Sequence, residues 1–158
     1  MPVKQEAKIE TRQGANFTAI HSGPLGELDS YTLEVPALNR TVKGKLFIKE
    51  FLGLTGMQIS MNKLPAGGAV PFYHKHRENE ECYIFVSGHG QMQIDGDTFD
   101  VEEGSIVRIG TGGNRTLRNT GSSDLQFICV QARENSLNQD TFEDGIRDEA
   151  KVTWPEKD

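Results

Sequence analysis

Positive charge is in short supply in this chain. Against 23 Asp and Glu it sets 17 Lys and Arg, a net charge of −6 over 158 residues. A protein that grips nucleic acid needs basic surface to displace counterions from phosphates, so no nucleic-acid partner is expected. Anionic lipid finds nothing to attract it either. Cysteine is scarce. There are two, Cys82 and Cys129, far apart and with no CxxC. That excludes a disulfide framework and a paired thiolate metal site, and both thiols read as reduced core residues in apolar, strand-like runs. Long apolar runs are missing, since none approaches the roughly 20 residues that span a bilayer. The first residues, MPVKQEAKIETRQ, are charged and carry no apolar h-region, so neither a secretory leader nor a membrane is expected and the chain reads as cytoplasmic. There is no glycine-rich phosphate loop and no nucleophile elbow.

What is present is glycine, 17 residues of it, which favours a turn-rich fold over a helical one. The length suits one domain with a core of its own. From residue 46 onward, short β-patterned runs alternate with turn signals. GMQISMNKL places Met57, Ile59 and Met61 on one face and Gln58, Ser60 and Asn62 on the other, which predicts a strand with the methionine face buried. ECYIFVSG is rich in β-formers. GQMQIDGDTFDVEEG gives strand, Asp-Gly turn and strand, a strong hairpin signal. GSIVRIG and DLQFICVQA are two more strands. An all-β sandwich or barrel is therefore expected over 46–132. Residues 1–16 read as a flexible arm, and 17–45 as N-terminal strands extending the barrel. Over 133–158 the spacing of Leu137, Phe142 and Ile146 predicts a short helix, followed by a tail anchored by Trp154.

Two of the four histidines fall together in GAVPFYHKHRENEECYIFVSG, residues 68–88. His74 and His76 are two apart on an extended segment, so both project to one face. RENE then has the length of a hairpin-type connection, after which Glu81 would face His76 from the adjoining strand. Two imidazoles and a carboxylate on one side of an ion, with open positions opposite, is an arrangement that suits Fe, and Zn, Mn or Ni fit it as well. The other reading is an exposed His-x-His pair with a solvated Glu81. On the residues alone both readings stand. Glu80 competes for the carboxylate role, but strand alternation with Tyr83 and Phe85 favours Glu81. Tyr83 shares that face and is a candidate to line a pocket and bond a ligand. His21 and His89 read as exposed, Met92 as core, and Asp95-Gly96 as a turn.

This segment resembles the first motif of the cupin family, G-x5-H-x-H-x4-E-x6-G, at Gly68, His74, His76, Glu81 and Gly88. The second motif, G-x5-P-x-G-x2-H-x3-N, is met at Gly104, Gly112 and Asn119, whereas Gly110 stands at the proline position and Arg115 at the histidine position. The resemblance implies a double-stranded β-helix, a jelly-roll barrel, holding a divalent metal on His74, His76 and Glu81. It also implies a homodimer, which fits the need to cover sheet edges. Cupins include enzymes and non-enzymatic binders, so the resemblance names neither a reaction nor a catalytic residue.

Arg115 complicates the metal reading. A guanidinium has donors only and stays charged. About 4 Å from a dication, at an effective dielectric of about 20, it costs roughly 8 kcal/mol before other groups respond. Three geometries are open. Arg115 swings away and leaves a three-ligand site; it points inward and clamps an anionic ligand; or it pairs with Glu81 and takes the metal's place. The first two suit a metal-dependent enzyme acting on a small anionic molecule, with Arg115 holding the anion. The third suits a metal-free binding module without turnover.

Overall fold

In the computed structural model, which describes residues 4–157, the regular structure is mostly strand, joined by turns and irregular segments and with only short helical pieces. In order they are β1 (Lys4–Glu6), β2 (Thr11–Gln13), β3 (Thr18–Ile20), β4 (Thr32–Val35), β5 (Arg40–Lys43), β6 (Lys45–Phe47), β7 (Gln58–Leu64), β8 (Asn79–Ser87), β9 (His89–Ile94), β10 (Asp97–Glu102), β11 (Ile106–Ile109), β12 (Arg115–Asn119) and β13 (Leu125–Arg133). A five-stranded antiparallel sheet runs β11-β8-β13-β7-β6. A three-stranded sheet, β10-β9-β12, is prolonged by bridges from Ala69 to Arg118 and from His74 to Arg115. Side chains from both sheets meet in one core: Tyr83, Phe85 and Phe127 from one, Met92, Val101 and Leu117 from the other. This is the double-stranded β-helix barrel that the strand pattern and motifs led one to expect. No helix among the described residues is long and apolar enough to cross a membrane.

Alternation along the strands explains the core. In β8 the residues Glu81, Tyr83 and Phe85 are buried in step, and in β12 Arg115, Leu117 and Asn119 are. The three aromatic rings pack with centroids 5.4–6.4 Å apart. Burying a side chain such as Phe85 contributes about 1.5–3 kcal/mol. The Asp95-Gly96 turn closes the β9–β10 hairpin with both residues at positive φ, the geometry that Asp-Gly favours.

Three expectations need correction. The face of β7 is inverted: Ser60 and Asn62 are each 4% exposed, Ile59 and Met61 are half-buried, and Met57, just before the strand, is 41% exposed. The polar face turns inward because it is satisfied there. Asn62 donates to the Ser60 hydroxyl at 2.9 Å and accepts from Lys45 Nζ at 2.8 Å. Second, the segment expected to be a loose arm is partly strand. Lys4–Glu6 pairs with β4, and Gln5 forms two side-chain bonds to the Phe47 backbone, at 2.8 and 2.7 Å. Third, there is no helix between residue 134 and residue 157. Leu137, Phe142, Ile146 and Trp154 are 75–97% exposed. Helical spacing stabilises a helix only when its apolar stripe finds a surface to bury against, and here it finds none.

Gly88 closes the turn between β8 and β9 at φ 90°, and a Cβ there would lie 2.4 Å from the Asp124 carbonyl oxygen. Both the backbone conformation and the space require glycine. Gly88→Ala is expected to lower the unfolding free energy by about 2–3 kcal/mol, read from urea denaturation, whereas Gly96→Ala, with open space around it, costs less.

Candidate functional site

The His-x-His segment and Glu81 do not form a hairpin. His74 pairs with Arg115 on β12, exchanging backbone bonds of 3.2 and 3.0 Å, and the His76 carbonyl accepts from Gly112 N–H at 3.0 Å. Glu81 lies on β8, in the opposite sheet. RENE therefore carries the chain from one sheet to the other, and the three residues converge across the barrel. Side-chain alternation settles the two carboxylates. Glu81 points inward and is 5% exposed, while Glu80 points outward to Arg108 Nε at 2.7 Å.

One potential ligand atom each from His74, His76 and Glu81 lies within 4.8 Å of the others. His76 Nε2 and Glu81 Oε1 are 3.0 Å apart. The other carboxylate oxygen, Oε2, accepts from Arg115, whose second terminal nitrogen donates to the Gly113 carbonyl at 3.0 Å. Arg115 is 1% exposed. Of the three geometries open to it, the structure adopts the pairing with Glu81, and that pairing leaves Oε1 on the histidine side. His74 Nδ1 and Arg115 Nε are buried and have no hydrogen-bond partner.

Burial and the neighbouring Arg115 cation lower the His74 pKa to about 4, so its imidazole is neutral at physiological pH. Burial pushes the Glu81 carboxyl up, but the charge and hydrogen bond of Arg115, with His76 adding to them, outweigh it and hold the group below its ordinary value. Tyr83, 5% exposed, has its phenol pushed well above the usual range by burial. Burial likewise raises the Cys129 thiol, to about 12, so it is protonated and no thiolate ligand.

These side chains form the floor of a cleft of about 350 Å³. Lys45, Phe47 and Gln131 line it too, and sequence reasoning passed over all three. Gln131 donates to Glu81 Oε1 at 3.4 Å. Lys45 fell just outside the barrel as bounded at residue 46, although period-two alternation with Phe47 just after Gly44 was a signal for it. A second cleft of about 480 Å³ adjoins the first, with Arg115, His74 and Tyr83 in its wall.

Residues 61–131 match a family model described as a cupin domain. A solved cupin protein from Bacteroides fragilis is 38% identical, the match covering 66% of this chain and 88% of that one at a TM-score of 0.63. The chain belongs to the cupin family. An oxalate-binding protein of Thermotoga maritima is 29% identical over 85 residues, 54% of this chain and 69% of that protein. A structure described as a predicted oxalate decarboxylase from Thermotoga maritima is 26% identical, covering 60% of this chain and 83% of that one at a TM-score of 0.52. The family span of this cupin begins at residue 61, so Lys45 and the N-terminal strands lie outside it.

The ion pair sets an expected response to mutation and acid. Glu81→Gln leaves a buried guanidinium without its counter-charge and is expected to cost about 3–5 kcal/mol in urea unfolding, whereas Glu81→Leu combined with Arg115→Met recovers most of it. Because the Glu81 pKa is depressed, its contribution is complete above the unfolded value of about 4.3 and is lost as pH falls through the lower folded value. Stability measured against pH should therefore fall on the acid side in the wild type, with a shallower fall in Glu81→Gln.

Proposed function

We propose that this cupin is a divalent-metal protein acting on a small anionic molecule in the interior cleft, with His74, His76 and Glu81 as the ligands of the ion. The observation that carries this reading is the convergence of the three donors within 4.8 Å. The donor set fits a divalent ion in three respects. His74 is neutral and has a buried ring nitrogen without a partner. The 3.0 Å between His76 Nε2 and Glu81 Oε1 matches the spacing of about 3 Å between adjacent ligands of an ion bonded at about 2.1 Å. The Arg115 charge is met by the far oxygen of Glu81, which softens its repulsion of an ion held on the near one.

A divalent ion bound there supplies Lewis-acid polarisation of an anionic oxygen. The chain's own residues do the rest. Arg115 and Gln131 fix the orientation of Glu81; Tyr83, Phe47 and Phe72 give the cleft an aromatic lining that limits water. A carboxylate ligand is supported by the relatives described as an oxalate-binding protein and a predicted oxalate decarboxylase. The proposal extends to a homodimer, which would cover sheet edges, and to the cytoplasm, where two unpaired cysteines are at home. The second reading, a metal-free binding cupin, is favoured by one feature: Glu81 already has Arg115 and His76 as partners.

Metal analysis separates the two. Protein incubated with Fe, Mn, Ni or Zn and then desalted is expected to retain about one equivalent of at least one of them, and His76→Ala to lose it. Arg115→His, which sets a potential ligand in place of a cation, is expected to tighten metal binding at least tenfold by titration calorimetry. Retention far below one equivalent for every metal would leave the metal-free reading standing.

A further inference from the structure

The two clefts are continuous. Lys45, Phe47, Phe72, His74 and Tyr83 line both, so the larger one opens directly onto the His74 side of the site. Its walls are mostly apolar, with Arg40, Lys43 and Lys63 also among the lining residues. Leu33, Val35 and Val42 come from β4 and β5, and Leu64, Val70 and Leu117 from the barrel. Leu38, 46% exposed, lines it where it meets solvent. Together the clefts offer far more room than oxalate fills, and most of the surplus is apolar.

Lys45 stands at the junction. Its Nζ donates to Asn62 Oδ1 at 2.8 Å and lies 5.0 Å from the centroid of the Phe47 ring. Neither partner carries a charge. Glu81 is the only carboxylate among the described residues lining either cleft, and it is bonded to Arg115 and His76. The Lys45 ammonium thus has an uncharged hydrogen-bond partner and no bonded carboxylate; burial lowers its pKa, with Cys129 and Glu81 acting the other way, so an incoming carboxylate would supply the counter-charge it lacks.

We propose that the ligand is a monocarboxylate bearing an apolar chain or ring, its carboxylate on Lys45 beside His74 and its apolar part between the N-terminal sheet and the barrel. This rests on the reading of the interior cleft as an anion site and narrows the class of anion. A dicarboxylate as small as oxalate would leave the apolar walls wet; a longer one would set its second charge among apolar side chains unless it reached the exposed Arg40 or Lys43. The cation therefore selects the head and the groove selects the tail. The part of the chain before the family span, residues 33–45, becomes the element that sets specificity.

The test is titration calorimetry with butyrate, hexanoate, octanoate, octanol and oxalate, on metal-loaded and on chelator-treated protein. Affinity is expected to rise about fourfold for each added methylene, and octanoate to bind at least tenfold more tightly than octanol. Lys45→Met is expected to abolish the octanoate–octanol difference. Leu38→Glu, an exposed position where folding is not at stake, is expected to weaken octanoate while leaving butyrate unchanged. Tighter binding of oxalate than octanoate, equal binding of octanol and octanoate, or no dependence on chain length in the wild type would each overturn the proposal. Metal content is read separately. If no metal is retained but the octanoate–octanol difference stands, only the metal reading falls. If metal binds and the difference is absent, only the Lys45 proposal falls.

Discussion

The bond between Arg115 and Glu81 is a strut across the barrel. One partner is on β12 and the other on β8, so the pair ties the two sheets at the level of the site. Neither charge would be tolerated alone so deep in the interior. Each also has a second partner: Gly113 for the arginine, and His76 with Gln131 for the glutamate. A buried pair of this kind adds little net stability over a well-packed apolar one. What it fixes is orientation. With Oε2 held by the guanidinium, Oε1 is turned toward His76, and the carboxylate has one side on the strut and one toward the cleft.

Much of this was legible in the chain. The spacing from Gly68 to Gly88 singled out His74, His76 and Glu81, and alternation along β8 separated Glu81 from Glu80 before any coordinates. The hairpin at Asp95-Gly96 and the burial of Met92 also followed from local pattern. Local pattern failed where the deciding partner is remote in sequence. RENE has hairpin length, but His74 takes its ladder from Arg115, 41 positions on, so the crossing between sheets could not be read from the connection. Polarity suggested that Ser60 and Asn62 face solvent, whereas a half-buried lysine contributed by another strand satisfies Asn62 inside. The tail after Arg133 has helical spacing but nothing to lie against, and spacing without a surface orders no helix.

The site draws on two regions of the chain. The family span supplies the imidazoles, the carboxylate and the arginine, all fixed by long ladders in the barrel. The residues before it supply the ammonium and one wall of the apolar groove. The stretch before β6 carries a sheet of its own, β1-β4-β5, tied to the barrel by Gln5 on Phe47 and by Lys63 on Asp29 and Gly26, whereas Lys45 itself sits on β6 in the five-stranded sheet. The imidazoles, the carboxylate, the arginine and the ammonium thus all sit on or beside the barrel sheets, and only the apolar wall comes from the separate sheet.

That the groove wall is a sheet of its own, β1-β4-β5, has an evolutionary corollary. Insertions or exchanges within the first 45 residues can redraw the groove without shifting a single rung between β7, β8 and β13. The same barrel can thereby carry different front pieces over an unchanged interior.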